Sequence, residues 1–487
     1  MKKRVLHFLL FLFIPLFSFA QINSETKRAN HWYFGLGAGL DFSNGTPVAD
    51  TSGKTNTYEG AASISDIYGG LLFYSDGNTI WNRNHLPMQG GYNLMGCDTI
   101  VAPEISVSQN ALIVPQPGND SLYYLFHLGC VDYTLYTLQY TIVNMKLNNG
   151  LGAVVSANNS LAPTKMQSLG ACRHSDGCSV WVVIMDTSNY YAFYKVDASG
   201  INNPVLQFSQ FYTQPVQPGW SGNFKFSNDL KMMGYSANMG YGSDTMCMYH
   251  FDNNTAQISN TIKIYTGFQE VYDMCFSPDN KKLYVTQAIL DIVSKAGVYQ
   301  YDISDYQYDS IVNSKIQLYY DSIVFGHIQN APDGKIYIAR LGATFAVPAD
   351  YLSTISNPNI KGLGCSFTLN GFSLQGKYCA GSLPNFDQAY FYPLLSNPCI
   401  KGIEYLNNET IQIFPTVFNS DFTIKNSAAD NFTIKIRDVT GKVYYDSELN
   451  PYQTKIISMK NTSDGMYFLS LNNGQQVINY KLIKMNI

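Results

Sequence analysis

The sequence predicts an all-β protein: a seven-bladed β-propeller closed by pairing of its N- and C-terminal strands, followed by a small β-sandwich. Three observations predict it. A tight turn between two apolar stretches recurs at Asp66, Asn119, Asp176, Asp229, Asp279 and Asp333, with gaps of 53, 57, 53, 50 and 54 residues. A second landmark keeps step: an aromatic or Val followed by Asp, at Asp197, Asp252 and Asp302, which lie 21, 23 and 23 residues after their turn Asp. After Pro393 the period stops and short alternating apolar-polar runs take over. A period of about 40–50 residues with four strands per unit is the mark of a propeller.

Each repeat reads as four strands. The first precedes the turn, as in Ala61–Ser65, Ala111–Val114 and Met274–Ser277. The second follows it and is apolar and aromatic, as in Leu71–Tyr74, Leu122–Phe126, Val180–Ile184, Lys282–Val285 and Ile336–Ala339. The third ends on the second landmark. Asp and Asn suit the turn because their side chains accept hydrogen bonds from the backbone two residues on. The sixth repeat has a weak third strand near Thr344–Val347, and the blade count turns on it. One further period reaches Asn385, so Leu383–Phe391 reads as a seventh first strand, and His31–Gly35 and Gly39–Phe42 as its second and third. Chain ends that share one blade leave no open sheet edge. The expected organisation is residues 1–20 signal peptide, 21–393 propeller, 394–408 linker and 409–487 β-sandwich, the last with six or seven strands from Ile411–Phe414 to Val477–Ile483.

Composition sets the compartment. Of 487 residues, 14% are charged and 14% aromatic, with 37 Tyr and 38 Gly, a mix that suits short strands and tight turns outside the cell. Lys2, Lys3 and Arg4 precede the apolar run Val5–Phe17, and Ser18-Phe19-Ala20 offers small residues for cleavage after Ala20. Removing the three basic residues takes the formal charge from −4 to −7, which argues against nucleic acid as a partner. No segment is long and apolar enough for a transmembrane helix. Nine cysteines in an exported chain allow disulfides. Cys172 and Cys178 flank one turn, and Cys365 and Cys379 flank a loop; each pair is a disulfide candidate, with buried free thiols as the alternative.

Two stretches resemble known families. Residues 409–487 resemble the C-terminal sorting domain of the type IX secretion system of Bacteroidetes, through Ile413-Phe414-Pro415, Val439-Thr440-Gly441-Lys442-Val443, Gly465-Met466-Tyr467 and Lys481-Leu482-Ile483-Lys484. The family usually has Pro-Asn-Pro where this chain has Pro415-Thr416-Val417. The resemblance implies that Pro415, Gly441, Gly465, Tyr467 and Lys481 belong to the sorting motif. It also implies export through the periplasm and outer membrane, the type IX machinery as partner, and release or attachment at the surface. Residues 30–393 resemble exported propellers of the same bacteria, through Asn30-His31-Trp32-Tyr33-Phe34-Gly35, Ser63-Ile64-Ser65-Asp66, Leu72-Phe73-Tyr74-Ser75-Asp76-Gly77 and Leu383-Pro384-Asn385-Phe386. That group implies a fold and a destination and no reaction.

No His-Glu-x-x-His, Walker loop or Gly-x-Ser-x-Gly is present, and the seven histidines are dispersed. No metal site or cofactor is expected, although a structural ion in the channel stays open as an alternative. Loops entering each first strand gather around a propeller's channel. Counting about nine residues before the turn centres reaches Asn110, Gln167, Trp220 and Glu270, while Glu59 and His327 lie in equivalent loops. Trp220 can stack on a sugar ring or an apolar side chain. Glu59 and Glu270 would make an acid/base pair if they face each other. The reading is therefore a secreted or cell-surface module that binds an extracellular protein or glycan without catalysis. The alternatives are a polysaccharide hydrolase or lyase using the channel carboxylates, and a structural surface component in adhesion or gliding.

Overall fold

The computed structural model describes residues 24–94, 108–132, 135–164, 166–210, 220–238, 245–266, 271–287, 296–341, 349–392, 411–415, 417–438, 441–473 and 477–484. The signal peptide, the linker, Glu270 and Thr344–Val347 lie outside them, as do the side chains of Trp220 and Lys481. The chain divides into two compact units, Met1–Pro398 and Cys399–Ile487.

The first unit is propeller-like: a succession of small sheets in which consecutive strands pair antiparallel. Val271–Phe276, Lys282–Gln287, Ala296–Asp302 and Ile316–Asp321 form one such meander. Phe325–Asn330, Ile336–Arg340, Tyr351–Ile355 and Phe367–Ser373 form the next, whose third strand begins just after the weak segment of the sequence. All six turns close as their chemistry requires. Asp66 Oδ1 accepts the N–H of Tyr68 at 2.8 Å, Asn119 Oδ1 that of Ser121 at 3.0 Å, and Asp176 Oδ1 that of Cys178 at 2.8 Å. Asp229, Asp279 and Asp333 do the same for Lys231, Lys281 and Lys335 at 3.1–3.2 Å.

First strands pack on first strands: Gly60–Ser65 on Ala111–Pro115, Leu169–Arg173 on Trp220–Phe226, Trp220–Phe226 on Val271–Phe276, and Val271–Phe276 on Phe325–Asn330. Every residue of Gly60–Ser65, Val271–Phe276 and Phe325–Asn330 is buried, whereas outer strands such as Gln257–Tyr265 are mostly wet. Gly326 shows how close the inner backbones run. A Cβ there would sit 2.3 Å from the carbonyl oxygen of Gly381. We expect Gly326→Ala to cost about 1–3 kcal/mol through backbone displacement, read as a lower denaturation midpoint in urea.

The chain ends meet differently from expectation. Leu383–Pro384 pairs in parallel with Gly60–Ala61, not with His31–Phe34. The outer edge of His31–Phe34 is otherwise engaged: Ser63 Oγ donates to the His31 carbonyl at 2.6 Å, and Leu36 N–H donates to the Tyr378 carbonyl at 2.9 Å. Side-chain burial adds to these backbone links. Trp32 packs on Phe386 and Phe391, with ring centroids 5.9 and 6.3 Å apart.

The second unit contains a three-stranded sheet (Ile411–Phe414, Asp421–Asn426, Thr454–Ser458) and a five-stranded sheet (Val417–Phe418, Phe432–Asp438, Val443–Leu449, Gly465–Asn472, Val477–Lys484). Ile411, Phe422, Ile424 and Ile457 of the first share a core with Ile434, Leu469 and Leu482 of the second. Gly441 sits at φ +88° in a turn closed by its N–H to the Asp438 carbonyl, a conformation that favours glycine. Tyr467 is buried and donates to the Ser463 carbonyl at 2.6 Å. Gly465 opens the strand Gly465–Asn472, Lys481 pairs with Phe468, and Pro415 follows the strand Ile411–Phe414 at the surface.

The cysteines correct an expectation. Cys172, Cys365 and Cys379 carry free, buried thiols, so neither Cys172–Cys178 nor Cys365–Cys379 is formed. Burial pushes all three thiols up. Cys172 lies in the apolar core with Trp181 and Phe193, and Cys379 Sγ packs against the Arg340 and Ala349 carbonyls at 3.2 and 3.3 Å.

Candidate functional site

The inner first strands nevertheless carry buried polar residues: Asn223 and Lys225 on one, Asp273 on the next, His327 and Gln329 on the third. A buried polar group without a partner is costly, so these side chains must find one another. They do so between sheets, in three clusters.

The first cluster centres on Ser108. Its N–H donates to Gln167 Oε1 at 3.2 Å, its hydroxyl donates to Asn223 Oδ1 at 3.2 Å, and it lies 3.3 Å from His327 Nε2. Asn223 Nδ2 donates to the Tyr272 carbonyl at 2.7 Å, and Tyr272 packs its ring 5.5 Å from His327. The Tyr272 hydroxyl donates to Glu59 Oε1 at 2.6 Å, and Gln167 Nε2 donates to the Tyr136 hydroxyl at 2.7 Å. Glu59, His327 and Gln167, far apart in sequence, thus converge. His327 is buried, and that desolvation lowers its pKa to about 4, against the pull of Asp273, so the imidazole is neutral. Glu59 and Gln167 stay half-buried and form the part of the cluster that solvent reaches.

The second cluster is Lys225 with Asp273, 3.2 Å apart. Lys225 also donates to the Ile328 carbonyl and Gln329 Oε1 at 2.9 and 3.0 Å. Asp273 accepts the N–H groups of Met274 and Ile328 as well, which occupies both its oxygens. The third joins three remote segments. Arg173 donates to Asp387 Oδ2 at 3.1 Å and to Glu25 Oε2 at 3.2 Å, and Arg28 donates to the same Glu25 oxygen at 2.8 Å. Burial alone would raise the Glu25 pKa, but the two guanidinium groups hold it below its ordinary value.

One expected residue, Asn110, parts company with this site. Asn110 reaches the other way: Nδ2 donates to the Asp76 carbonyl at 3.0 Å, and Oδ1 accepts the Leu128 N–H at 3.2 Å. It is a strut. Trp220 pairs through its backbone with Met166, and Glu270 lies outside the described residues. The nine-residue count missed Ser108, Asn223 and Tyr272 by two or three positions. The readable signal was polarity inside otherwise apolar first strands, at Asn223, Lys225, Asp273 and His327.

Fold and site together define a propeller-like β protein with polar inner strands. Residues 412–485 match the secretion system C-terminal sorting domain family. The protein is accordingly recognised by the type IX machinery and exported to the cell surface or beyond. Among the described residues no helix is long and apolar enough to cross a membrane. No curated protein matches the chain in sequence. Among solved structures it is similar to a putative 6-phosphogluconolactonase from Bacteroides fragilis, at 11% identity and a TM-score of 0.37 over 80% of this chain and 94% of that one. It is also similar to a periplasmic gluconolactonase from Pseudomonas aeruginosa (13%, TM-score 0.33, 78% and 94% covered). An α-L-arabinofuranosidase from Clostridium thermocellum is a third (10%, TM-score 0.32, 55% and 94% covered). At such values no activity passes from them to this protein.

Proposed function

We propose that the protein is an exported binding module that recognises an extracellular glycan, or a protein bearing one, at the Ser108-centred cluster. On this reading residues 21–393 form a seven-bladed ring closed through Leu383–Pro384 and the packing of Trp32, residues 1–20 are a signal peptide, and 394–408 link the ring to the sorting domain at 409–487. The observation that carries it is the convergence of Glu59, Gln167, Tyr136, Tyr272 and His327 from separate sheets on one point, with Glu59 and Gln167 still reachable by solvent. A carboxylate, an amide and phenols are the groups that sort sugar hydroxyls by hydrogen bonding and stacking. Recognition suits the cluster better than hydrolysis. Glycosidases need two free carboxyl groups; here Glu59 already accepts the Tyr272 proton, and the nearby Asp273 is fully engaged by Lys225 and two N–H groups.

The test is binding of the purified mature chain to arrayed glycans and cell-envelope fractions. We expect retention on a glycan class, weakened about tenfold or more by Gln167→Ala or Glu59→Ala, as loss of one hydrogen bond to a charged group implies. Folded protein that binds nothing would remove the reading. Turnover of a polysaccharide that collapses in Glu270→Gln would replace it with the enzymatic one.

A further inference from the structure

The unit that matches the secretion family has to present something for the type IX machinery to bind, and three of its motif residues do not supply it. Gly441 and Gly465 have no side chains, and Tyr467 is buried with its hydroxyl on the Ser463 carbonyl. They build the unit rather than show on it. What shows is set by strand alternation. In Ile411–Phe414, Asp421–Asn426 and Thr454–Ser458 the side chains of Ile411, Phe422, Ile424 and Ile457 face the core, which turns the residues between them outward.

Register then decides which outward residues stand side by side. Phe414 pairs with Thr423, and Thr423 with Ile456, so the three form one row across all three strands. Phe414 is 50% exposed and Ile456 71%, with half-buried Thr423 between them. The row spans about 10 Å, two strand spacings, and carries no charge. The next row, Gln412, Lys425 and Thr454, is polar throughout. On the five-stranded sheet the exposed Phe468 is flanked by charge instead, pairing with Arg437 on one side and Lys481 on the other. Phe414 and Ile456 also stand on the two edge strands of their sheet, where exposed apolar residues invite another chain and are ordinarily avoided. A polar β-former such as Thr would hold either strand as well.

We propose that the row Phe414–Thr423–Ile456 is the surface of the sorting unit that the type IX machinery binds, through an apolar patch of its own. The family match fixes the occupant: residues 412–485, which include all three, are the part of the chain that the machinery recognises. Apolar contact suits the row because it offers the partner no charge to pair, and binding of this kind is little weakened by salt. The surface is independent of ligand recognition at the Ser108-centred cluster, and either can fail without the other.

The experiment follows the full chain in a bacterium that carries the type IX machinery, by separating periplasm, cell surface and medium. The double variant Phe414→Thr/Ile456→Thr is expected to collect in the periplasm, with the exported share lowered about tenfold or more, as losing two apolar side chains from an interface implies. Gln412→Thr/Thr454→Gln, one row away on the same face, should be exported like the unaltered chain. Both purified variants should keep the urea midpoint of the unaltered protein, since all four positions are exposed. Should the first double variant fail to fold, Ile456→Lys decides, a residue that natural edge strands carry; its export must fall at an unchanged midpoint. Normal export of the folded variants overturns the proposal, and so does an equal loss in both double variants. A chain that is dimeric when unaltered and monomeric as Phe414→Thr/Ile456→Thr, yet exported alike in both forms, makes the row a self-association surface and overturns it too.

Discussion

Replacing Arg173 by methionine is expected to destabilise the first unit by about 3–5 kcal/mol, the usual result of breaking a buried ion pair from one side. The cost arises from what is left behind. Arg173 is buried, and its guanidinium serves Asp387, Glu25 and the Gly177 carbonyl while lying 5.7 Å over the Tyr390 ring. Asp387 is wholly buried and caps the turn at Gln388–Phe391 through the Ala389 N–H at 3.0 Å. Without Arg173 it keeps a charge with no counter-ion. Glu25 retains Arg28, which limits the damage on that side. The measurement is urea denaturation followed by tryptophan fluorescence. The double variant Arg173→Met/Asp387→Leu should recover part of the loss, because removing both charges removes the unpaired one. A loss under about 1 kcal/mol would mean that the Arg173 cluster adds little to the joining of the chain ends.

Acidification from pH 6.5 to 4 should destabilise the protein chiefly through two buried histidines. Burial lowers His127 and His327 from 6.5 to about 4. The unfolded chain therefore takes up protons on both as the pH falls through 6.5, while the folded chain does so only near 4. Stability present above 6.5 is lost across that window, by about 3 kcal/mol for each histidine. Asp76 works in the opposite sense. Burial raises its carboxyl from 3.8 to about 6, so its protonation favours the folded state as the pH falls through 6 and offsets about half of the combined loss. Below the ordinary carboxylate range Glu25 adds a further loss, since its pKa is held down by Arg28 and Arg173. His327→Gln, which can keep a hydrogen bond to Ser108, should flatten the curve by about 3 kcal/mol between pH 6.5 and 4. An unchanged slope in that variant would show that His327 is charged or solvated in the folded state.

Much of the fold was legible because its rules are local. An Asp or Asn that bonds the backbone two residues on, at Asp66 or Asp279, needs nothing from elsewhere in the chain. Apolar runs such as Val180–Met185 pair with their chain neighbours, and third strands end where the second landmark stands, at Asp197, Asp252 and Asp302. The sorting domain was readable for the same reason: its glycines and apolar alternation mark turns and faces whatever surrounds them.

The candidate site was only half legible. Loop counting found Glu59, Gln167 and His327, because equivalent positions in successive repeats arrive at one place. It missed Ser108, Asn223 and Tyr272, two or three positions from the counted residues, because spacing along the chain does not say where each loop turns inward to meet the other sheets. Asn110 went the other way for the same reason: its neighbour Ser108 meets His327, while Asn110 reaches back to Asp76.

By itself, then, the sequence determined the repeat, the turns, the succession of antiparallel strands within a repeat and the export tag, all written in spacing and in residues that act on their own backbone. Tertiary structure alone decided how the ends meet, that Cys172, Cys365 and Cys379 stay as thiols, and which polar side chains face one another. Those outcomes depend on distances between segments up to about 200 residues apart, and burial, which forces every polar group on an inner strand to find a partner, comes into being only when the sheets pack.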